Sequence, residues 1–279
     1  MFHALVGIKQ VPDTTNIRID PETGNLIRQG IPSILNPFDA HAVAAAVEWK
    51  RKLGGKITII SMGPPGTVSA IRECIELGAD RGVLLSARQF SGADTLATSY
   101  VLAEAIKAIH AKDPIDLVLF GKQAIDGDTA QVGPGVAARL ELPLITYAVN
   151  IREIDLEKRS LVIERKTERW SEVIRTALPT VITCEKEIAD IPYASLPDLV
   201  YSLTYEPEVW TAESPIKFIP EQLGLKGSPT TVFKVGTPEK HIAGEMINTL
   251  DSSVESAVSK ALGQVVASGV LGSMALEAI

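Results

Sequence analysis

The chain has little of what several protein classes require. It carries only two cysteines in 279 residues, Cys74 and Cys184, far apart and without a metal-ligand spacing. That excludes a disulfide framework, and fits two small buried apolar residues in a reducing compartment, the cytoplasm. There is no excess of positive charge. The 27 Lys and Arg against 34 Asp and Glu leave a formal net charge of -7, whereas nonspecific nucleic-acid binding needs a basic face. Long apolar runs are also missing. The tail from Leu262 to Ile279 is mildly apolar but is interrupted by Gln264, Ser268, Ser273 and Glu277. A membrane helix would need about 20 predominantly apolar residues, so the tail reads as a docking helix. The opening Met1-Phe2-His3-Ala4-Leu5-Val6-Gly7-Ile8-Lys9 lacks a basic flank and a long apolar core. It reads as a first strand and not as a signal peptide. His3, His41, His110 and His241 cluster with no Cys or carboxylate, so none is assigned to a metal or to proton transfer.

What is present is a globular composition, 46% hydrophobic and 22% charged. Strand and helix signals alternate over the first 140 residues, as a parallel α/β sheet requires. Strands are expected at His3–Lys9, Lys56–Met62, Gly82–Ser86 and Leu117–Phe120. Helices are expected from Pro37 to about Leu53, from Thr67 to Leu77 with Gly78 as cap, and from Asp94 or Thr95 to about Ile109. Ile17–Ile19 and Leu26–Arg28 flank a turn-rich insert that reads as a small hairpin. Four further strands, Ala148–Ile154, Leu161–Thr167, Trp170–Thr176 and Thr180–Cys184, have short breaks that predict antiparallel pairing. Beyond Glu185 prolines punctuate the chain, which reads as an arm over another surface. His241–Val270 reads as one amphipathic helix with a possible break near Gly263. The fold class is therefore α/β: a parallel, Rossmann-like sheet flanked by helices, a small antiparallel section, and a C-terminal arm and helix. Residues 1–187 are expected to form the nucleotide-binding domain and residues 188–279 the arm.

The densest functional signal is Gly121-Lys122-Gln123-Ala124-Ile125-Asp126-Gly127-Asp128-Thr129-Ala130-Gln131-Val132-Gly133-Pro134, between the apolar strand 116–120 and a helix over 136–140. Ligands of open α/β sheets bind at the carboxyl ends of strands, where helix N-termini face anions. Glycine lets backbone approach a ligand. Asp126, Asp128, Thr129 and Gln131 offer groups for a ribose, a phosphate or an adenine edge; Asp126 and Asp128 read equally well as a helix start. Thr95 and Thr98 read as a cap and a helix surface, Asn36 before Pro37 as a plain N-cap, and Met62 as core.

This segment resembles the nucleotide-binding signature of the electron transfer flavoprotein beta subunit. Gly7-Ile8-Lys9-Gln10-Val11-Pro12-Asp13, Asn36-Pro37-Phe38-Asp39, Ser61-Met62-Gly63-Pro64 and Leu77-Gly78-Ala79-Asp80-Arg81-Gly82 resemble further family segments in the family's order. The resemblance implies a heterodimer with an alpha subunit that carries its own FAD. The pair would pass electrons between flavin dehydrogenases and an acceptor. The family's beta-subunit pocket holds either AMP as a structural ligand or, in electron-bifurcating members, a second FAD that takes hydride from NADH. Gly127 through Pro134 and Ala93-Asp94-Thr95-Leu96-Ala97-Thr98 resemble the bifurcating pattern. The resemblance thus implies a pocket built from Gly7, Asn36, Asp39, Met62, Thr95, Thr98, Gln123, Ala124, Asp126, Gly127, Asp128, Thr129, Ala130, Gln131, Val132 and Gly133. FAD is the expected occupant and AMP the alternative.

Ile191-Pro192-Tyr193-Ala194-Ser195-Leu196-Pro197 resembles the family's recognition loop, in which an exposed leucine anchors the dehydrogenase. Tyr193 and Leu196 are the expected partner contacts. The family's following helix is rich in lysine; here residues 198–206 contain none. Arg165, Lys166 and Arg169 beside Trp170 read as an interface hairpin near the alpha subunit or as solvated charge. A nucleotide-hydrolysing α/β enzyme is a remote alternative. Its phosphate loop should follow the first strand, where Lys9-Gln10-Val11-Pro12-Asp13-Thr14 stands instead.

Overall fold

A computed structural model describes residues 1–13, 18–19, 26–27, 32–231, 245–247, 249 and 253–269. Its centre is a nine-stranded sheet. In chain order the strands are β1 (Phe2–Ile8), β6 (Gly55–Met62), β7 (Arg81–Leu85), β8 (Leu117–Gly121), β9 (Leu144–Asp155), β10 (Ser160–Lys166), β11 (Ser171–Ala177), β12 (Thr180–Cys184) and β13 (Glu208–Trp210). Three-residue strands β2 (Gln10–Pro12) and β5 (Ser33–Leu35) pair with each other, and β3 (Arg18–Ile19) with β4 (Leu26–Ile27) forms the expected small hairpin. The main order is β11-β10-β9-β12-β8-β1-β6-β7-β13.

The central strands are parallel and buried throughout, so they read as continuous apolar runs. Phe2, Ala4, Val6 and Ile8 of β1 face one cluster and Leu5 the other, the period-2 alternation of a strand. Helices α1 (Pro37–Leu53) and α2 (Val68–Glu76) cover the first face. Helices α3 (Thr95–Lys112) and α4 (Val132–Leu140) cover the second. Helix α1 buries Ala42, Ala44, Ala45 and Ala46, small side chains that bring its backbone close to the sheet. Cys74 and Cys184 are free and buried, and burial pushes both thiols up.

The chain runs from β1 through α1 and α2 to β6 and β7, then crosses the other face through α3 to β8, on the far side of β1. The direction of winding therefore reverses between β1 and β8, and ligands of such sheets bind at that reversal.

Two readings need correction. The four later strands are not all antiparallel. β9, β10 and β11 are, but β12 runs parallel to both β8 and β9. The β9–β11 meander forms one edge of the sheet, and β12 returns to fill the slot between β9 and β8. The C-terminal helix is also shorter than read: α6 spans Val254–Ala267, capped by Ser253, whose side chain accepts from Ser256 N–H. It continues through Gly263. Residues 245–247 are not helical, and 241–244 lie outside the described residues.

Regular structure also extends past Glu185. Helix α5 (Leu196–Thr204) is capped by Ser195, and β13 pairs with β7 at the far sheet edge. Trp210, Phe218 and Leu223 are buried against α3 and β7. By contacts the chain divides into Met1–Val235 and Gly236–Ile279. Among the described residues no helix is long and apolar enough to cross a membrane.

Candidate functional site

A cleft of about 1190 Å³ opens at the winding reversal. Its walls are the ends of β1 and β8, the loops that follow them, and the loop and first turn between β7 and α3. The volume slightly exceeds the roughly 300–1,000 Å³ of ordinary small-molecule sites.

Asp39 joins the two central loops. It lies in the first turn of α1 and is buried. One carboxylate oxygen accepts from Lys9 N–H at 2.8 Å and the other from Gly121 N–H at 3.0 Å. Burial pushes its carboxyl up to about 7, against the hydrogen bonds that favour the charged form. Gly121 is required here: a Cβ would meet the Phe38 backbone carbon at 2.7 Å.

Asn36 is fully buried and does not cap α1 with its side chain. Its amide instead donates to Gln123 C=O at 2.9 Å and accepts from Ile125 N–H at 3.2 Å. It thus pins the loop after β8 from behind and lies outside the lining. Asp126 likewise does not line the cleft; both its oxygens accept from Lys9 Nζ at 2.7 Å. These two expected contacts are supports of the loop. Asp126 and Asp128 do not start a helix either, since α4 begins at Val132.

Asp128 and Ala130 have φ of 49° and 54°. Non-glycine residues held left-handed are uncommon and cluster at ligand sites. Asp128 accepts from Gln123 Nε2 at 2.7 Å. Gly127 has a negative φ, and nothing lies within 4 Å of the position its Cβ would take. Its lack of a side chain is not needed by the fold; it leaves the cleft open.

The structure brings Gly7, Asp39, Met62, Thr95, Thr98, Gln123, Ala124, Gly127, Asp128, Thr129, Ala130, Gln131, Val132 and Gly133 to one cleft. Asp94 caps α3, accepting from Leu96 and Ala97 N–H at 2.9 and 3.1 Å, so Thr95 and Thr98 sit on its first turn facing the cleft.

Sequence reasoning missed Arg88, Phe90 and Thr230, which also line it. Three cations reach the cleft. Lys9 pairs with Asp126 and Lys122 with Glu185 at 3.0 Å. Arg88, exposed, has no carboxylate within ion-pair distance among the described residues. Its signal was the position, just after the end of β7 and five residues before the segment Ala93–Thr98. Thr230 gave no signal, because it arrives from 136 residues beyond Asp94.

Tyr193 is fully exposed, and Leu196, the first residue of α5, is 72% exposed. Val200, Tyr201 and Leu203 of α5 are exposed beside them. Trp170, in the turn between β10 and β11, is 71% exposed, while Arg165 pairs with Glu172 and Lys166 with Glu187.

Residues 23–199 match the electron transfer flavoprotein domain. The chain is 44% identical to the caffeyl-CoA reductase-Etf complex subunit CarD of Acetobacterium woodii, over 92% of this chain and 96% of CarD. It is 41% identical to protein FixA of Azotobacter vinelandii, over 95% of this chain and 94% of FixA. It is 42% identical to the electron transfer flavoprotein subunit beta of Thermoanaerobacterium thermosaccharolyticum, over 93% of this chain and 97% of that subunit.

Proposed function

The chain belongs to the electron transfer flavoprotein beta-subunit family, and from that premise we propose that its cleft binds FAD, as a second flavin beside that of an alpha subunit. The heterodimer would take hydride from NADH and divide the electron pair between two acceptors. A flavin dehydrogenase would dock through Leu196 and Tyr193.

One observation carries this reading: the cleft runs from the loop after β8, past the strand ends of β1 and β6, to the loop between β7 and α3, and is unobstructed at Gly127. A mononucleotide seated on the loop after β8 would leave the wall of Thr95 and Thr98 without a ligand group. A dinucleotide uses both walls. The residues fit such a group. The loop from Gln123 to Gly133 offers polar groups and close backbone for the adenosine half. The N-terminus of α3 and the hydroxyls of Thr95 and Thr98 face the cleft from the other side. Arg88 supplies a positive charge for a pyrophosphate in a chain of net charge -7. Phe90 and Met62 give apolar surface for a ring system. FAD, when bound, supplies the redox chemistry; the protein supplies position, charge and exclusion of water. The name of the relative CarD places that protein in a complex of an Etf with a reductase, which supports the same kind of assembly here.

The test is the cofactor content of the co-purified heterodimer, quantified after denaturation. Two FAD and no AMP per heterodimer support the proposal. One FAD and one AMP would make this chain a scaffold for a single-flavin carrier.

A further inference from the structure

The wall of the cleft that carries Thr95 and Thr98 does not stand alone. Residues 218–230 run along it, with Thr230 at the cleft and the others outside the lining, and are keyed to it at five points. Phe218 packs edge-on against Phe90 and Tyr100, with ring centroids 5.4 and 6.2 Å apart. Ile219 N–H donates to Tyr100 Oη at 3.0 Å. Gly224, at φ 50°, lies so close to the rim loop that a Cβ would meet Ser91 O at 2.7 Å and collide with Gln89 O. Asp94 N–H donates to Ser228 Oγ at 2.8 Å, and that hydroxyl donates to Gly224 C=O at 2.7 Å. Thr230 donates to Asp94 Oδ2 from its N–H at 3.2 Å and its hydroxyl at 2.8 Å.

Asp94 is therefore shared. One carboxylate oxygen holds the first turn of α3 and the other holds Thr230. The same first turn presents Thr95 and Thr98 to the cleft. We propose that residues 218–230 are a positioning strap for the nucleotide site, with Ser228 as a positioning residue acting through Asp94 and Thr230 tying the strap to Asp94 at the cleft itself. Seated, the strap fixes the cap and the rim loop 88–94, and with them the side of the cleft that a dinucleotide needs. Unseated, it releases that side. Coupling of this kind is reciprocal: whatever the strap adds to nucleotide affinity, the nucleotide returns as strap stability. This inference rests on the reading of the cleft as an FAD site.

The test uses the heterodimer with FAD as probe. Hydrogen exchange is followed at the amides of 219–230 with and without FAD, and the FAD dissociation constant is measured for wild type, Ser228→Ala, Ser228→Thr and Gly224→Ala. We expect FAD to slow exchange in the strap of the wild type. Ser228→Ala should weaken FAD about threefold to tenfold, the loss of one or two hydrogen bonds. Ser228→Thr should restore it, and Gly224→Ala should weaken it further. Ser228 and Gly224 do not line the cleft, so direct contact does not explain such a loss. Strap exchange unchanged by FAD, or a lowered melting temperature with FAD affinity intact in Ser228→Ala, would overturn the strap alone. A wild type that binds no FAD would overturn the reading beneath it. If Gly224→Ala does not fold, the two Ser228 variants decide.

Discussion

Asp39 Oδ1 accepts the backbone N–H of Gly121 across 82 positions of sequence, while its other oxygen accepts from Lys9 N–H. One buried carboxylate thus locks together the loops after β1 and β8, the two halves of the winding reversal.

That placement has a pH consequence. Burial raises the Asp39 carboxyl from an ordinary 3.8 to about 7 in the folded chain. The folded state therefore holds a proton that the unfolded state releases between about pH 4 and 7. Stability falls as pH rises through that window, by about 1.4 kcal/mol for each unit of pKa difference. Asp39→Asn removes the charge but keeps one acceptor. The expected outcome is that wild type loses stability relative to Asp39→Asn from pH 4.5 to pH 8, read from urea midpoints. Parallel profiles would mean that Asp39 ionises without cost.

Gly127 and Asp128 separate ligand binding from folding. A Cβ at Gly127 meets no atom within 4 Å, so the stability of Gly127→Asp should stay within about 0.5 kcal/mol of wild type. Its added carboxylate would stand in the cleft lining and, by repelling an anionic pyrophosphate, should lower FAD content. Asp128→Ala should also lower it, and should cost about 1 kcal/mol more than Asp128→Asn, because alanine tolerates a φ of 49° less well. Cofactor quantification beside thermal melts checks both variants. Unchanged flavin in the two would refute the site assignment.

Arg88 is exposed and carries no ion pair among the described residues, so Arg88→Ala should leave thermal stability unchanged. Loss of a charge-assisted hydrogen bond is worth about 1.5–3 kcal/mol, a tenfold or greater loss of FAD affinity. Arg88→Lys should recover part of it, and the alanine variant should show a shallower salt dependence. Titration at two salt concentrations distinguishes this from a role for Arg88 in solvation only.

The parallel core was legible because its strands are continuous apolar runs ended by turn residues, as at Leu117–Gly121. The cleft loop was legible for a similar reason: glycines and short polar residues directly follow a buried strand. What stayed hidden was long-range. Asn36 has the sequence context of a helix cap, and only the fold shows its amide turned to Gln123 and Ile125. β12 looks like the next strand of a meander, and only the packing of β9 against it reverses its pairing. Thr230 reaches Asp94 from a proline-rich stretch that has no periodicity to read.

The surface around α5 raises a different question, whether an apolar anchor can work without nearby lysines. Leu196 is largely exposed, and Tyr193 wholly so. Neither side chain contributes much burial to the isolated chain, so Leu196→Ala should melt as wild type does. On a partner, a leucine entering an apolar pocket would be a hot spot worth about 2 kcal/mol or more. Val200, Tyr201 and Leu203 extend the apolar patch where basic residues would otherwise favour an acidic partner. Binding through this face should therefore depend weakly on salt, since burial of apolar area is not screened. The check is electron transfer from the heterodimer to its dehydrogenase as a function of ionic strength, for wild type, Leu196→Ala and Tyr193→Ala. We expect both variants to raise the half-saturating dehydrogenase concentration at least tenfold, with little change between low and high salt. A steep salt dependence with no effect of Leu196→Ala would move the docking site to another face of the chain, with the hairpin around Arg165, Lys166 and Trp170 the next surface to vary.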